Sequence, residues 1–316
     1  MRILYFNITR RCNLRCWFCA ASLNRRSEIS TKKILSLFDK WKIRKGDRVI
    51  LNGGEATLHR GLCEILRNVK KRHARSNLFT NGIKLADTRY ALRLACCGLD
   101  YVCIPLYGKT AAQHDAMTGV KGSFAKTCAA ISHLCELKNR GYKITLEVKL
   151  LHCKATYRRN PAIARWIADQ YPNIDYISVN PPLYTGEARV HLKDFAVDLM
   201  KTKRWLNKTV TAVLDKKVRC SLPHIPYCVL GRKNRSDRWR KGFLPYPLRQ
   251  PMIYYDPQIT TGVIVRKEKI IDSQCRMCAY RVRCPGFRPY NLGETSSEGS
   301  SIIKPAKLKN ISKTIT

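Results

Sequence analysis

The stretch ILYFNITRRCNLRCWFC, residues 3–19, joins a short apolar segment to three closely spaced cysteines. Its apolar part, residues 3–8, predicts a first β-strand. Cys12, Cys16 and Cys19 follow directly, inside a span of eight residues. Three thiols packed so closely cannot all serve a hydrophobic core. The stretch therefore predicts a strand that ends in a metal-binding loop.

Apolar runs alternate with helical patterns through the first half of the chain, which favours repeated strand–helix units. The pattern predicts strands over 3–8, 48–51, 76–80, 100–107, 143–151 and 174–180, and helices over 30–41, 62–71, 88–98, 123–141 and 160–171. Six such repeats predict parallel strands joined by right-handed crossovers. They are too few for an eight-unit barrel but enough for a partial one. In such folds the chemistry lies at the carboxyl ends of the strands.

The pattern changes after residue 186. One more helix is predicted over 191–206, followed by a segment rich in Pro and Cys and by two strands around a turn within 252–271. The Ser- and Lys-rich end of the chain predicts disorder. The predicted divisions are an α/β core (1–186), a connecting helical segment (187–216), a second small domain (217–292) and a disordered basic tail (293–316).

The composition of the chain limits the classes of protein to which it can belong. The chain has 316 residues, of which 45% are hydrophobic. No apolar run reaches the roughly 18 residues that a membrane span needs, and the first residues lack the apolar run of a secretory signal. We therefore expect a cytoplasmic protein with reduced thiols and no membrane partner. Its 15 cysteines must then be explained by packing or by metal.

The formal charge of +38 leaves two interpretations open. Such a field attracts nucleic acids and acidic peptides. The basic residues are spread along the whole chain rather than gathered in one arm, however, and a diffuse excess can be a property of the host's proteome.

The cysteine triplet indicates a particular kind of metal group. Thiolates select zinc or iron–sulfur clusters. Structural zinc takes four ligands, and the alternative of a zinc site would need His59 or His73 as the fourth. A cubane cluster has four irons, so three local cysteines leave one iron open to a small molecule. The spacing C-x3-C-x2-C is not the usual one for zinc.

Several motifs, in order, resemble the radical S-adenosylmethionine (radical SAM) superfamily. That family's cysteines follow the pattern C-x3-C-x-aromatic-C, and Phe18 supplies the aromatic residue. LNGGEATLH (51–59) resembles the family's Gly-Gly-Glu motif, and LFTNG (78–82) closes the third predicted strand as in many members. HDAMTGVKGSFAKT (114–127) resembles members that act on peptides and proteins. The resemblance covers roughly residues 3–185.

The resemblance implies an enzyme built on an α/β fold, a partial (β/α)6 TIM-like barrel. Cys12, Cys16 and Cys19 would hold a [4Fe–4S] cluster whose open iron chelates S-adenosylmethionine. One electron, from a donor such as flavodoxin or ferredoxin, would cleave that compound to a 5′-deoxyadenosyl radical, which takes a hydrogen atom from the substrate. The protein's own part would be binding, orientation and exclusion of side reactions.

The same resemblance implies residues that bind S-adenosylmethionine. Gly53 and Gly54 would let backbone approach the methionine part without a Cβ clash, and Glu55 would accept from its amino group. The remaining members of the implied set reach the same moiety, the ribose or the adenine: Thr80, Asn81 and Phe18. The residues that act on the substrate are not assigned.

A second cysteine set resembles the auxiliary-cluster extensions of this superfamily, called SPASM or twitch domains. It consists of Cys275, Cys278 and Cys284, followed by Pro-Gly-Phe. Arg288 stands where the longer SPASM pattern has another cysteine, which favours the twitch form. The implied second [4Fe–4S] cluster has Cys228, Cys275, Cys278 and Cys284 as ligands, with Cys220 in reserve. A structural zinc on the same thiolates is the alternative.

The other cysteines have no partner at ligand spacing and are predicted to be packing residues: Cys63, Cys96, Cys97, Cys103, Cys128, Cys135 and Cys153. The favoured function is hydrogen abstraction from a peptide or protein side chain. The alternatives are radical SAM modification of RNA or nucleotides, small-molecule biosynthesis, and a zinc-stapled basic nucleic-acid-binding protein. The chain has no recognisable RNA-binding module.

Overall fold

A computed structural model of the chain describes residues 1–20, 27–183 and 186–230, together with two strands near residue 260. The strands are β1 (Ile3–Thr9), β2 (Arg48–Gly53), β3 (Arg75–Phe79), β4 (Tyr101–Pro105), β5 (Thr145–Leu151), β6 (Tyr176–Asn180), β7 (Arg219–Ser221), β8 (Met252–Asp256) and β9 (Ile259–Ile264). The α-helices are α1 (Thr31–Lys40), α2 (Leu62–Lys71), α3 (Thr88–Cys96), α4 (Ala111–Thr118), α5 (Ser123–Asn139), α6 (Asn160–Gln170), α7 (Glu187–Val190), α8 (Leu192–Phe195) and α9 (Lys203–Asp215).

The strands of the described residues form one sheet in the order β7-β6-β5-β4-β3-β2-β1-β8-β9. Every neighbouring pair is parallel except β8 and β9. The α/β fold and the six parallel strands of the predicted partial barrel are therefore confirmed. The two strands predicted within 252–271 are present as β8 and β9, and β8 extends the sheet beside β1. At the other end β7, which no pattern predicted, pairs with β6.

Alternate residues of each strand face opposite sides of the sheet. On β5, Leu146, Val148 and Leu150 are fully buried in the main core, which the helices complete. Each such side chain contributes about 1.5–3 kcal/mol by burial. The intervening positions form the inner face of the partial barrel, and here that face is polar: β5 places Glu147 and Lys149 there.

The start of α5 agrees with the helix predicted over 123–141. Ser123 is the first helical residue, and Gly122 precedes it with φ +81°. The carboxylate of Asp115 accepts hydrogen bonds from Gly122 N (2.7 Å), Ser123 Oγ (2.7 Å) and Phe124 N (2.8 Å). A side chain from α4 thus satisfies the amino-terminal donors of α5.

The single helix predicted over 191–206 is wrong. α8 ends after one turn and α9 begins at Lys203. Asp198 lies between them, and its carboxylate accepts from Met200 N at 2.8 Å and Lys201 N at 3.1 Å. Such local side-chain bonds compete with the helical pattern. Among the described residues, no helix combines the length and hydropathy required to cross a membrane.

Candidate active site at the carboxyl ends of the strands

The cysteine loop (residues 10–20) follows β1 at the carboxyl edge of the sheet. Cys12, Cys16 and Cys19 are half-buried in it, whereas Leu14 is buried in the protein. Leu14 N donates to the sulfur of Cys12 at 3.4 Å, and Cys19 N donates to Cys16 O at 3.1 Å. The loop therefore has ordered backbone turns with its thiols near the surface, which is the exposure that ligands to an added group require.

Gly53 and Gly54 bring the end of β2 against this loop. A Cβ on Gly53 would lie 2.0 Å from Thr9 O, and one on Gly54 would lie 2.4 Å from Arg11 O. Gly54 N donates to Thr9 O, and Glu55 N donates to Arg11 O, both at 2.7 Å. The space beside Gly53 is therefore filled by the end of β1, and the space beside Gly54 by the start of the cysteine loop.

The carboxylate of Glu55 joins the ends of β2 and β3. Its Oε1 accepts from Thr57 N (3.0 Å), Thr57 Oγ1 (2.5 Å) and Thr80 Oγ1 (2.5 Å), and its Oε2 accepts from Asn81 N (2.6 Å). Glu55 is almost fully buried. Burial raises its pKa, and the hydrogen bonds from Asn81, Thr57 and Thr80 oppose that rise. One acceptor position on Oε2 remains for a further donor.

The cysteine loop is tied into this network by a residue that the sequence did not single out. Asn13 Oδ1 accepts from Asn81 Nδ2 at 2.7 Å. Asn81 Oδ1 in turn accepts from Ile83 N at 3.0 Å, which orients the amide. The structure therefore places Glu55, Thr80 and Asn81 next to one another, and it adds Asn13 to this hydrogen-bond network. Nothing in the motif spacing could have indicated that residue.

The end of α4 supports the other side of the loop. Arg15 N donates to Thr118 O at 2.9 Å, and a Cβ on Gly119 would lie 2.7 Å from Arg15 O. Gly119 has φ +68°, which glycine adopts at no steric cost. The segment 114–127 therefore positions the cysteine loop.

Phe18 lies in an aromatic cluster rather than on an open surface. Its ring stacks on Phe195 with centroids 5.5 Å apart and meets the edge of Tyr107 at 5.0 Å. Trp17 packs on Phe195 at 5.6 Å. Burial raises the pKa of Tyr107 well above its usual range, and the nearby thiols of Cys16 and Cys19 add to that shift. The cluster anchors the cysteine loop against α8, and contact between Phe18 and adenine remains a prediction.

Both histidines of the zinc alternative are unsuitable as a fourth ligand. His59 Nε2 lies 2.7 Å from Ile29 O, and its Nδ1 accepts from Gly61 N at 3.1 Å. Both ring nitrogens are thus engaged. His73 precedes β3, whereas the cysteines follow β1. Because these strands are parallel, the two positions lie at opposite edges of the sheet.

The second cysteine set is described only in part. Cys275, Cys278 and Cys284 lie outside the described residues. Cys228 is half-buried in a short 3₁₀ turn, Tyr227–Val229. Cys220 lies on β7 in the main core with no exposed surface, and burial raises the pKa of its thiol to about 12. That environment opposes a role for Cys220 as a reserve ligand.

The donor set of the cysteine loop fits an iron–sulfur cluster with one open position. Its three soft ligands are half-buried, and backbone hydrogen bonds hold the loop. No group of three His, Cys, Asp or Glu side chains in the part of the chain that the structure describes is already gathered at ligand distances. The three thiols would have to converge when the cluster binds.

A family model identifies one part of the chain. The model of the Radical SAM superfamily matches residues 6–148.

These residues form a radical SAM domain.

The Radical SAM superfamily uses a [4Fe–4S] cluster and S-adenosylmethionine as its cofactors. The Fe-coproporphyrin III synthase of Methanosarcina barkeri is 31% identical over 244 residues, which cover 73% of this chain and 59% of that protein. The PqqA peptide cyclase of Ruegeria pomeroyi is 32% identical over 142 residues, which cover 44% of this chain and 37% of that protein. The chain spans less than two thirds of the length of each relative.

A solved structure extends the likeness in fold to nearly the whole chain. The radical SAM domain and its flanks resemble Streptococcus suis SuiB bound to its precursor peptide SuiA, with a TM-score of 0.65 and 15% identity. The alignment covers 98% of this chain and 75% of SuiB. At that identity the likeness concerns the fold alone.

Proposed function

We propose that this protein is a radical SAM enzyme that modifies a side chain of a peptide or protein. One observation carries the proposal: the Gly53–Gly54–Glu55 turn holds the cysteine loop at the carboxyl edge of parallel strands. A relative of this chain, the PqqA peptide cyclase, is named for a reaction on a peptide. This relationship supports a peptide as the class of substrate.

Cys12, Cys16 and Cys19 would hold the cluster. When bound, the cluster supplies the electron that splits S-adenosylmethionine and so gives a 5′-deoxyadenosyl radical. Glu55 Oε2 is the group of this chain that would orient the methionine part. Gly54 would act by holding the turn, because its N–H is bound to Thr9 O. The buried network around Glu55 keeps these groups in place before the cofactor arrives, so little ordering remains to be done on binding.

The inner face of the partial barrel is suited to a polar substrate. Glu147 is nearly buried there and accepts from Tyr101 Oη and from Cys103 Sγ at 3.5 Å. Burial raises the pKa of Glu147, and a hydrogen bond from Ser178 opposes that rise. A carboxylate in this setting would form a hydrogen bond with the substrate or hold a proton beside it. Lys149 adds a cation on the same strand face.

The remaining parts of the proposal rest on the second cysteine set and on the net charge of the chain. Cys228, Cys275, Cys278 and Cys284 would hold a second [4Fe–4S] cluster in an auxiliary domain over 217–292. The net charge of +38 favours an acidic peptide or an acidic electron donor such as flavodoxin or ferredoxin. We place the enzyme in the cytoplasm, where its thiols stay reduced.

The first test is cofactor cleavage. The full chain, reconstituted anaerobically with iron and sulfide and reduced with dithionite, is expected to release 5′-deoxyadenosine from S-adenosylmethionine. The Cys16→Ala variant is expected to release none, whereas the Cys128→Ala variant should match the wild type. A wild-type protein that binds iron but never forms 5′-deoxyadenosine contradicts the proposed chemistry.

The second test addresses the substrate class. A pool of synthetic acidic peptides should raise 5′-deoxyadenosine formation above the uncoupled level, and mass spectrometry should find a peptide that has lost hydrogens. Fe-coproporphyrin III synthase matches more of this chain than the peptide cyclase does. Tetrapyrroles are therefore the second candidate class. Stimulation by coproporphyrin and not by peptides would replace the peptide proposal with small-molecule chemistry.

A further inference from the structure

Positive charge is concentrated on the surface where α6 packs against α9. Residues 154–165 and 201–208 are twenty positions with eight Lys or Arg and no Asp or Glu, whereas the whole chain has 60 Lys or Arg in 316 residues. All but Arg159 are exposed. We call these eight residues the basic strip: Lys154, Arg158, Arg159, Arg165, Lys201, Lys203, Arg204 and Lys208.

The two segments of the basic strip lie side by side. His152 Nε2 is 3.1 Å from Thr202 Oγ1, and the ring centroids of Tyr157 and Trp205 are 6.4 Å apart. α6 follows β5, and α9 ends shortly before β7 begins. Because these strands are parallel, both helices begin at the carboxyl edge of the sheet. The strip therefore lies at the same edge as the cysteine loop.

The strip begins beside the aromatic cluster that anchors the cysteine loop. Lys154 N donates to Phe195 O at 3.2 Å, and its ammonium group donates to Lys193 O at 2.7 Å. The ring of Phe195 stacks on Phe18, which lies between Cys16 and Cys19. A molecule bound along the strip would therefore have one end near the candidate active site.

The charge of the basic strip is not neutralised by the protein. Within the part of the chain that the structure describes, none of its eight cations forms an ion pair with a carboxylate. Asp198 precedes α9, but its carboxylate accepts from the backbone of Met200 and Lys201 instead. Such a surface attracts an anionic partner.

Two aromatic rings hold cations of the strip in place. Arg158 Nε donates to Tyr157 Oη at 2.9 Å, and its guanidinium carbon lies 5.5 Å from the centre of that ring. Lys208 Nζ lies 4.9 Å from the centre of the Trp205 ring. Both contacts have cation–π geometry. The cations are thus partly ordered before a partner binds.

The same rings favour carboxylates over nucleic-acid bases as the partner's groups. Tyr157 and Trp205 meet edge to face, with 71° between their planes, and a cation lies over each ring. Single-stranded nucleic acids bind by stacking bases on open aromatic faces. Carboxylates need only the cations.

We propose that the basic strip binds an acidic segment of the peptide substrate, separate from the residue that is modified. This inference rests on the proposed peptide function and adds a second contact to it. Asp and Glu side chains would pair with the exposed cations at the start of α9, where the helix dipole also favours anions. Charge pairing of this kind mainly supplies specificity and faster association.

The test is peptide binding by the full chain after anaerobic reconstitution. A fluorescein-labelled dodecapeptide of alternating Glu and Gly is titrated, and its fluorescence anisotropy gives the Kd. Lys203→Glu combined with Arg204→Glu should raise the Kd about tenfold at low salt. Added salt should weaken binding to the wild type. The same peptide with Gln in place of Glu should not bind measurably.

A matched control makes the same change of charge elsewhere. Lys32 and Lys33 are also consecutive, exposed cations in the first turn of a helix, α1, which packs on α2. Lys32→Glu combined with Lys33→Glu should leave the Kd close to that of the wild type. Acidic residues suit the first turn of a helix, so both double variants should fold.

Three results would overturn the inference. They are a wild type that does not bind the Glu peptide, equal increases in Kd in the two double variants, and tighter binding of a labelled oligouridylate than of the peptide through Lys203 and Arg204. Formation of 5′-deoxyadenosine without substrate is measured in the same samples and should be equal in all three proteins. Its absence from all three, with the peptide still bound at the strip, would contradict the proposed function and not the binding site.

Discussion

Glu55 is the residue on which the candidate site depends most. Its buried carboxylate binds the backbone of Asn81 and the side chains of Thr57 and Thr80, and so joins two strand ends. The resemblance to the superfamily assigned it to the cofactor's amino group. The structure gives it a role within the protein as well, because its carboxylate accepts four hydrogen bonds from groups of the chain itself.

Replacing Glu55 with Gln should damage both stability and cofactor binding. The new NH2 group would face the donor groups that now bind the carboxylate, leaving buried groups without partners. We expect a loss of about 1–3 kcal/mol in the free energy of unfolding, measured with urea. S-adenosylmethionine binding by the reconstituted protein should weaken in parallel. The exposed Glu64→Gln is the control. Equal stability of the two variants would argue against the network.

Gly53 tests whether the close approach of β2 to the end of β1, directly before the cysteine loop, matters. Gly53→Ala would place a Cβ 2.0 Å from Thr9 O at φ +142°. Gly46→Ala is a matched control, because Gly46 also has a positive φ (+85°) but has nothing within 4 Å of the added atom. We expect the control to lose about 1 kcal/mol from backbone strain alone. The Gly53 variant should lose several times more and fail to retain iron. Similar losses of stability in the two variants would mean that Gly53 is needed to avoid backbone strain, and not to avoid a clash with Thr9 O.

His152 and His114 predict a pH dependence of stability. Burial lowers the pKa of each to about 4. An unfolded histidine has a pKa near 6.5, so the unfolded chain takes up protons between about pH 6.5 and 4 that the folded chain does not. Stability should therefore fall as the pH drops through this window, by up to roughly 3 kcal/mol per histidine. His152→Asn should remove about half of that fall in urea titrations. His73→Asn, at an exposed position, should leave it unchanged.

At the scale of elements, α4 and α5 form a support for the cysteine loop. Asp115 accepts three hydrogen bonds at the start of α5. Burial alone would raise its pKa, but the bonds from Ser123, Phe124 and Gly122 outweigh this and lower it. The turn at Thr118 and Gly119, which holds Arg15 N, follows on the same helix.

Asp115→Ala should separate this support from ordinary helix capping. We expect a loss of about 1–2 kcal/mol in the free energy of unfolding, together with reduced iron retention by the cysteine loop. Ser30→Ala removes the cap of α1, where Ser30 Oγ accepts from Lys33 N at 3.3 Å. It should cost stability to a similar degree but leave iron retention intact. Equal iron contents in the two variants would show that α4 does not position the loop.

For the whole molecule, the number of clusters is the decisive property. We expect about eight irons per chain after anaerobic reconstitution, four for each cubane. Replacing Cys12, Cys16 and Cys19 with Ala should leave about four. A second variant, with Cys275, Cys278 and Cys284 replaced by Ala, should also retain about four and still cleave S-adenosylmethionine. Zinc in place of iron in the first variant would favour the structural zinc alternative at the C-terminal cysteines.

The positions of six strands and five helices along the chain could be predicted from local patterns. Apolar periodicity and turn residues act over a few positions, so the strand over residues 3–8 and the helix over 62–71 could be predicted closely. β7 could not, because a strand of three residues has too little pattern to differ from a loop. The position of β8 beside β1 depends on pairing between distant segments, which periodicity does not encode.

Within the candidate site, too, some features follow from local sequence and others only from contacts between distant segments. The spacing of Cys12, Cys16 and Cys19 was enough to indicate an iron–sulfur loop, because thiolate chemistry and ligand number are properties of the residues themselves. The neighbours of Gly53, the partners of Glu55 and the contact of Asn13 with Asn81 arise only when segments far apart in the chain pack together. Those contacts follow from the three-dimensional arrangement, since no local pattern records which distant backbone will fill the space beside a given residue.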